Sequence, residues 1–379
     1  MLQDPVIPFE LVDTTSGLKN VLKSLQDADA LAVDLEADSM FHFQEKVCLI
    51  QIASKHHLFI VDPMQVKDLS ALKPLFSDPG IKKVFHGSDY DVRSLFRDFS
   101  IVIHNLFDTE LACRFLGFQH SGLDAVLQTF FDVKLEKKYQ KKDWSMRPLP
   151  KAMVTYAAND VHHLLPLAQR LEEQLVEKER LAWVREECDL LSRVRPNQNH
   201  VKPLFLNFKG AGRLLPGELA VLEALLKWRK QAARKKDLPL FKIIGNNSIL
   251  TLTREKPQTE KELEACRALS AKQTGMYGRQ LITAVKKGLK TPENQLPVYP
   301  RTRTPRMPES KIRIAKRLKH WKEEKAADLD IDPALVLNKS QTMDIARITP
   351  AGIHDLEGIE SLKSWQIKAF GKEIIGCIS

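Results

Sequence analysis

The stretch ALAVDLEA, residues 30–37, decides how the first half of the chain is read. Its alternation puts Leu31, Val33 and Leu35 on one face of a strand and Ala32, Asp34 and Glu36 on the other. Two further apolar runs follow closely, VCLIQIAS (47–54) and LFIVDP (58–63), with separations suited to antiparallel pairing. Upstream, residues 17–27 have the spacing of an amphipathic helix. Downstream, KKVFHG (82–87) predicts a strand that feeds a helix from about Ser88 to Asp98, and helices then alternate with short connections to about Cys188. That order describes a mixed α/β domain. Beyond Arg195 the strand signals fade and the pattern becomes helical.

Asp34 and Glu36 stand at i and i+2, side by side on a strand whose other face is apolar. Like charges that close repel and lose hydration unless a cation sits between them, and a divalent metal ion suits two hard oxygen donors. A DxE pair alone decides little, because many strands end in exposed acids. In HGSDYDV (86–92), Asp91 has a structural reading, with Ser88 as helix N-cap and Asp91 three residues on as its capping-box partner. In TYAANDVHHLL, residues Met153, Tyr156, Ala157, Asp160, Leu164 and Leu167 follow helical spacing, so Asp160 falls on the apolar stripe with Tyr156 one turn earlier. Taken together, Asp34, Glu36, Asp91 and Asp160 provide the four oxygen ligands that a two-metal phosphodiester site requires, with ions about 3.5–4 Å apart. His86 reads as a core histidine, and Asp108 in LFDTELA as an N-cap.

The chain has 379 residues, 43% of them hydrophobic, enough for two or three cores. Its first residues lack the basic n-region of a signal peptide, and no apolar run approaches the roughly 20 residues that span a bilayer. Five scattered cysteines show no metal or disulfide spacing, so a reducing, cytoplasmic location is expected; a monomer without a membrane partner is expected as well. The net charge of +10 conceals an asymmetry. Residues 1–190 carry 22 Lys and Arg against 29 Asp and Glu, and residues 191–379 carry 36 against 19. An acidic half joined to a basic half suggests carboxylate chemistry in one and polyanion binding in the other. Residues 291–308, rich in proline and with Arg301, Arg303 and Arg306, read as a linker. Landmarks on its two sides recur at one offset of 93: Trp228 and Trp321, Pro257 and Pro350, Leu263 and Leu356, Tyr277-Gly278 and Phe370-Gly371. A duplicated helical domain is expected.

The order VDLEAD, HGSDYDV and YAANDV resembles the three exonuclease motifs of the DEDD superfamily, and Tyr156 four residues before Asp160 resembles its tyrosine subclass; the histidine position of the other subclass holds Thr155. DWSMRPLP (143–150) is similar to a ribonuclease D signature. The tail resembles the helicase-and-ribonuclease-D C-terminal (HRDC) domain, twice. The resemblance implies an α/β ribonuclease H-like exonuclease domain, a mixed sheet flanked by helices, followed by two all-α HRDC-type domains. The expected divisions are 1–190 for the exonuclease, 191–208 for a linker, 209–290 for one HRDC domain, 291–308 for the Pro/Arg-rich linker and 309–379 for the second copy.

That family hydrolyses RNA from the 3′ end with two divalent ions, Mg²⁺ or Mn²⁺, releasing nucleoside 5′-monophosphates. By resemblance Asp34, Glu36 and Asp160 hold one ion, Asp34 and Asp91 the other, and Tyr156 orients the attacking water. Expected substrates are structured RNAs with free 3′ ends, such as transfer RNA precursors. Phe41, His42 and Phe43, in the loop where ribonuclease D carries other aromatics, are candidates to stack on terminal bases or to pack locally. Trp144 and Arg147 either touch RNA or brace the third-motif helix. A DNA exonuclease and an inactive nucleic-acid-binding scaffold are the alternatives. The basic tail is expected to supply most of the RNA affinity, with a chain ending near Asp189 still able to cleave short RNA.

Overall fold

The computed structural model describes residues 8–196, 203–300 and 307–378; Arg301, Arg303 and Arg306 of the expected linker lie outside them. The first part contains β1 (Glu10–Val12), α1 (Thr15–Leu25), β2 (Ala30–Ala37), β3 (Val47–Ala53), β4 (Leu58–Val61), α2 (Lys73–Ser77), β5 (Lys82–Phe85), α3 (Asp89–Phe99), β6 (Leu106–Asp108), α4 (Thr109–Leu116), α5 (Leu123–Phe131), α6 (Lys151–His162), α7 (Leu164–Glu177) and α8 (Leu181–Ser192). The six strands form one mixed sheet in the order β1-β4-β3-β2-β5-β6. β2 pairs antiparallel with β3, and β3 with β4, as the short connections predict; the other three pairings are parallel. Every residue of β3 is buried, which explains why its sequence is an apolar run rather than an alternation. β1 and β6, three residues each, leave no periodic signal in the sequence.

The chain forms two compact units. One comprises the described residues up to Ala37, those from Val47 to Pro196, and 307–378; the other comprises Asp38–Lys46 and 203–300. The second unit holds α9 (Pro216–Lys236), α10 (Leu240–Ile243), α11 (Asn246–Glu255), α12 (Glu260–Ala265) and α13 (Ala271–Leu289). The last part of the first unit holds α14 (Glu309–Leu329), α15 (Pro333–Val336), α16 (Lys339–Ile348), α17 (Ile353–Glu357) and α18 (Ser364–Ile378). The starts of all five helices repeat at the offset of 93, and so do individual bonds. Trp228 Nε1 donates to Gln280 Oε1 at 3.1 Å, and Trp321 Nε1 donates to Glu373 Oε2 at 3.0 Å. Asp237 and Asp330 end their long helices in the same left-handed conformation. The sheet domain is α/β and both tail copies are all-α.

The second copy shares one hydrophobic core with the sheet domain. Trp365 stacks on Trp183 at 4.8 Å and meets Phe115 edge-on at 5.4 Å. Glu186 accepts the N–H groups of Ser364 (2.7 Å) and Trp365 (2.9 Å), so a carboxylate of α8 caps the start of α18. At Gly117 (φ +94), a Cβ would come within 2.1 Å of the carbonyl oxygen of Asp330. Only glycine permits that approach. Among the described residues no helix is long and apolar enough to cross a membrane.

Candidate active site

Three elements converge on one cleft of about 420 Å³ whose walls include Asp34, Glu36, His86, Glu110, Asp124, Lys137, Gln140, Tyr156 and Asp160. β2 brings Asp34 and Glu36 to one face, and a register irregularity follows directly between Glu36 and Ala37. α6 packs against β2, β3 and β4 and presents Asp160 to the acids of β2. Carboxylate oxygens of Asp34, Glu36 and Asp160 all lie within 4.8 Å of one another. Asp91, in the first turn of α3, is buried and feels the charge of Asp34.

The turn that launches α3 is held differently from the capping box expected for it. Ser88 makes no side-chain cap bond to its helix. Its hydroxyl donates instead to Asp108 Oδ2 at 2.8 Å, and the same carboxylate accepts the N–H groups of Gly87 (3.0 Å), Ser88 (2.7 Å), Glu110 (2.9 Å) and Leu111 (3.1 Å). Asp108 thus caps α4, as expected, and also pins the start of α3, a bond across 20 residues that local spacing does not reveal. Asp91 is thereby released from capping. Gly87 (φ +74) makes the turn, where a Cβ would meet Glu110 Oε2 at 2.9 Å.

The electrostatics of the four acids agree with one another. Burial pushes the Asp34 carboxyl up to about 6. Burial, followed by the charges of Asp34, Asp160 and Asp91, pushes Glu36 up to about 10. Asp91 and Asp160 are raised well above the carboxylate range, each by burial first and by Asp34 next. Among the described residues, none of the groups acting on these four is a cation. Buried carboxylates left in this state either bind protons or bind a positive ion between them. A set of hard oxygen donors fits a divalent ion of the Mg²⁺ or Mn²⁺ class. Tyr156, half-buried, hydrogen-bonds Asp160, and its hydroxyl is held protonated by burial and by the surrounding acids.

The remaining candidates divide. Trp144 is buried and packs at 6.1 Å against the Tyr156 ring. Arg147 forms a fork onto Asp62 (2.6 and 2.8 Å) and donates to the carbonyls of Cys48, Trp144 and Met146. Both brace the segment before α6, and every one of those Arg147 bonds goes to protein. Phe41, His42 and Phe43 belong to the second compact unit and pack there. His42 Nδ1 is 2.7 Å from Asp237 Oδ2, the Phe43 N–H donates to Asp237 Oδ1 at 3.1 Å, and Lys242 Nζ stands 4.3 Å from the Phe41 ring centre. These interactions are local packing within that unit. His86, read as a satisfied core histidine, is half-buried. Its Nδ1 meets Thr109 Oγ1 at 2.9 Å, the ring also bonds the backbone of Ser121, and it borders the acid cleft.

Two residues, one beneath the acids on the sheet and one on the cleft wall, carry no role in the sequence pattern. Gln51 pairs directly with Asp34 across the antiparallel ladder, so both side chains share a face, and its amide is fully buried with neither polar atom bonded. A lone amide in the run VCLIQIA was the available signal. Lys137, paired with Asp124 at 2.8 Å, brings a cation to the rim. Its signal was the lysine cluster at 134–142 inside an acidic domain.

Comparison with known proteins gives the family. Residues 9–176 match a 3′-5′ exonuclease domain, and 218–285 and 312–378 each match an HRDC domain. The chain is 32% identical over 268 residues to Exosome complex component 10 of Mus musculus, covering 68% of this chain and 30% of that protein. It is 27% identical over 350 residues to Ribonuclease D of Pseudomonas paraeruginosa, covering 92% of both. The catalytic core of RRP6 from Trypanosoma brucei superposes with a TM-score of 0.66 at 33% identity, over 76% of this chain and 81% of that one. With an exonuclease match followed by two HRDC matches, 33% identity over 81% of the RRP6 catalytic core and similarity to a ribonuclease D along 92% of both chains, the chain belongs to the ribonuclease D family of 3′-5′ exonucleases.

Proposed function

We propose that this protein is a 3′-5′ exoribonuclease that removes nucleoside 5′-monophosphates one at a time from the 3′ end of RNA. The observation that carries the reading is the convergence of three carboxylates within 4.8 Å, Asp160 buried and Asp34 and Glu36 half-buried, with no cation among the described residues acting on them and Tyr156 bonded to one of them. Asp34, Glu36 and Asp160 would hold one divalent ion and Asp34 and Asp91 a second, Mg²⁺ or Mn²⁺. Such ions lower the pKa of an attacking water and neutralise charge on the scissile phosphate, so no side chain need form a covalent intermediate. Tyr156, kept protonated, has one hydroxyl proton to place; given to Asp160 it leaves the oxygen lone pairs to orient the water. Lys137 at the rim offers a positive charge to the phosphate backbone in a domain that is otherwise acidic.

The substrates proposed are structured RNAs with accessible 3′ ends, including transfer RNA precursors, and the protein acts as a monomer. Parallel digestion of matched RNA and DNA oligomers tests the substrate class. RNA shortened in single-nucleotide steps from the 3′ end is the expected result, and equal or faster digestion of DNA would replace the reading with a DNA exonuclease.

A further inference from the structure

The duplication lets each surface position of one HRDC copy be compared with its twin 93 residues on. Lys230, Gln231 and Lys235 on α9 become Glu323, Glu324 and Asp328 on α14; Arg267 becomes Glu360, and Gln280 becomes Glu373. All ten side chains are exposed. Five matched positions on one scaffold have therefore each changed toward negative charge. Over the whole copies, 209–290 carries 18 Lys and Arg against 7 Asp and Glu, whereas 309–379 carries 12 against 11. Of the positive excess that the two copies carry together, 11 charges reside in the first and one in the second.

What the twins touch differs in the same sense. Lys272, exposed at the start of α13, corresponds to Trp365, which is 3% exposed against Trp183 and Phe115. Lys236 corresponds to Leu329, whose carbonyl accepts from Arg180 of the sheet domain at 2.8 Å. The second copy has exchanged cations for the apolar and carboxylate-capped packing that fuses it to the catalytic core. Even its basic run is largely engaged within the copy. Lys311 donates to the Arg347 carbonyl and Thr349 Oγ1 at 2.6 Å each, Arg317 donates to the Ile378 carbonyl at 3.2 Å, and Lys319 pairs with Glu323 at 3.7 Å.

We propose that the two copies have divided their labour: the copy at 209–290 grips the RNA strand by its phosphates, with Lys230, Lys235 and Arg267 among the groups that do so, and the copy at 309–379 braces the catalytic domain without binding. The proposal rests on RNA being the substrate. Exposed, unpaired cations spread over a helical surface suit a phosphodiester strand, because each phosphate neutralised releases counterions.

The test uses the full chain. Lys230→Glu, Gln231→Glu and Lys235→Asp together write the second copy's residues into the first; Arg313→Gln with Lys316→Gln removes the second copy's remaining cations of that run. Affinity for a labelled oligoribonucleotide is measured in EDTA across a series of salt concentrations, with thermal melting as the check of folding. The triple variant is expected to bind about tenfold or more weakly, with a salt slope shallower by about 0.7 for each phosphate it no longer neutralises, and the double variant to stay within about twofold of wild type. Wild-type affinity and slope in the triple variant, or equal weakening in both, overturns the division. Failure of the wild type to bind or shorten RNA at all would instead overturn the functional reading beneath it.

Discussion

At the scale of single residues, Glu36 shows what the site costs when it holds no cation. Its carboxyl, pushed up to about 10 from an ordinary 4.5, keeps in the folded state a proton that the unfolded chain releases. Stability from this group is therefore present at low pH and is lost as pH rises from about 4.5 toward 10. In EDTA the melting temperature should fall across that window, and Mg²⁺ or Mn²⁺ should restore it, more at high pH than at low. Glu36→Gln should melt above wild type in EDTA at alkaline pH and gain less from the metal. A flat wild-type profile that ignores metal would contradict the electrostatic account. Tyr156→Phe should lower the rate by roughly 10² or more, as loss of an orienting hydroxyl does; full activity there, with instability in Tyr156→Ala, would leave the hydroxyl no chemical part. Gln51→Leu removes a buried amide without partners, so it should raise stability. If the amide also steadies Asp34, kcat falls in the same variant, and an unchanged kcat would remove Gln51 from the site. The acids and Tyr156 were legible because strand and helix periodicity fix which face they occupy. Gln51 and the Ser88–Asp108 bond were not, since both depend on partners set by tertiary pairing.

Among the elements, the pair of five-helix copies provides its own control. Trp365→Ala deletes a ring packed between Trp183 and Phe115 and should destabilise the protein by about 3–5 kcal/mol, whereas Lys272→Ala at the exposed twin position should change stability by less than about 0.5 kcal/mol. Denaturant unfolding of both variants reads this directly, and equal destabilisation would mean that the second copy does not brace the core. The shared offset of landmarks announced the duplication, because Trp228 and Trp321 hold the same bond in each copy. That the second copy packs on the sheet domain was not announced, since that depends on a few substitutions such as Trp365 where the first copy has Lys272.

For the whole molecule, the common core of the sheet domain and the second copy changes what truncation can show. A chain ending near Asp189 exposes Phe115 and Trp183, so it should melt lower than the full protein and aggregate, instead of behaving as a detached catalytic domain. The expectation of a removable tail came from charge, which records solvent-facing residues and is silent on a seam closed by aromatics. The central claim is that the acid cluster cleaves RNA from its 3′ end through bound divalent ions. Its most direct test is digestion of a 5′-labelled RNA by wild type and by Asp160→Asn, each with Mn²⁺ and with EDTA, the variant being shown to fold and to bind RNA. A ladder shortening by single nucleotides from the 3′ end, present only in wild type with metal, is the predicted result; cleavage by Asp160→Asn, or by wild type in EDTA, would contradict it.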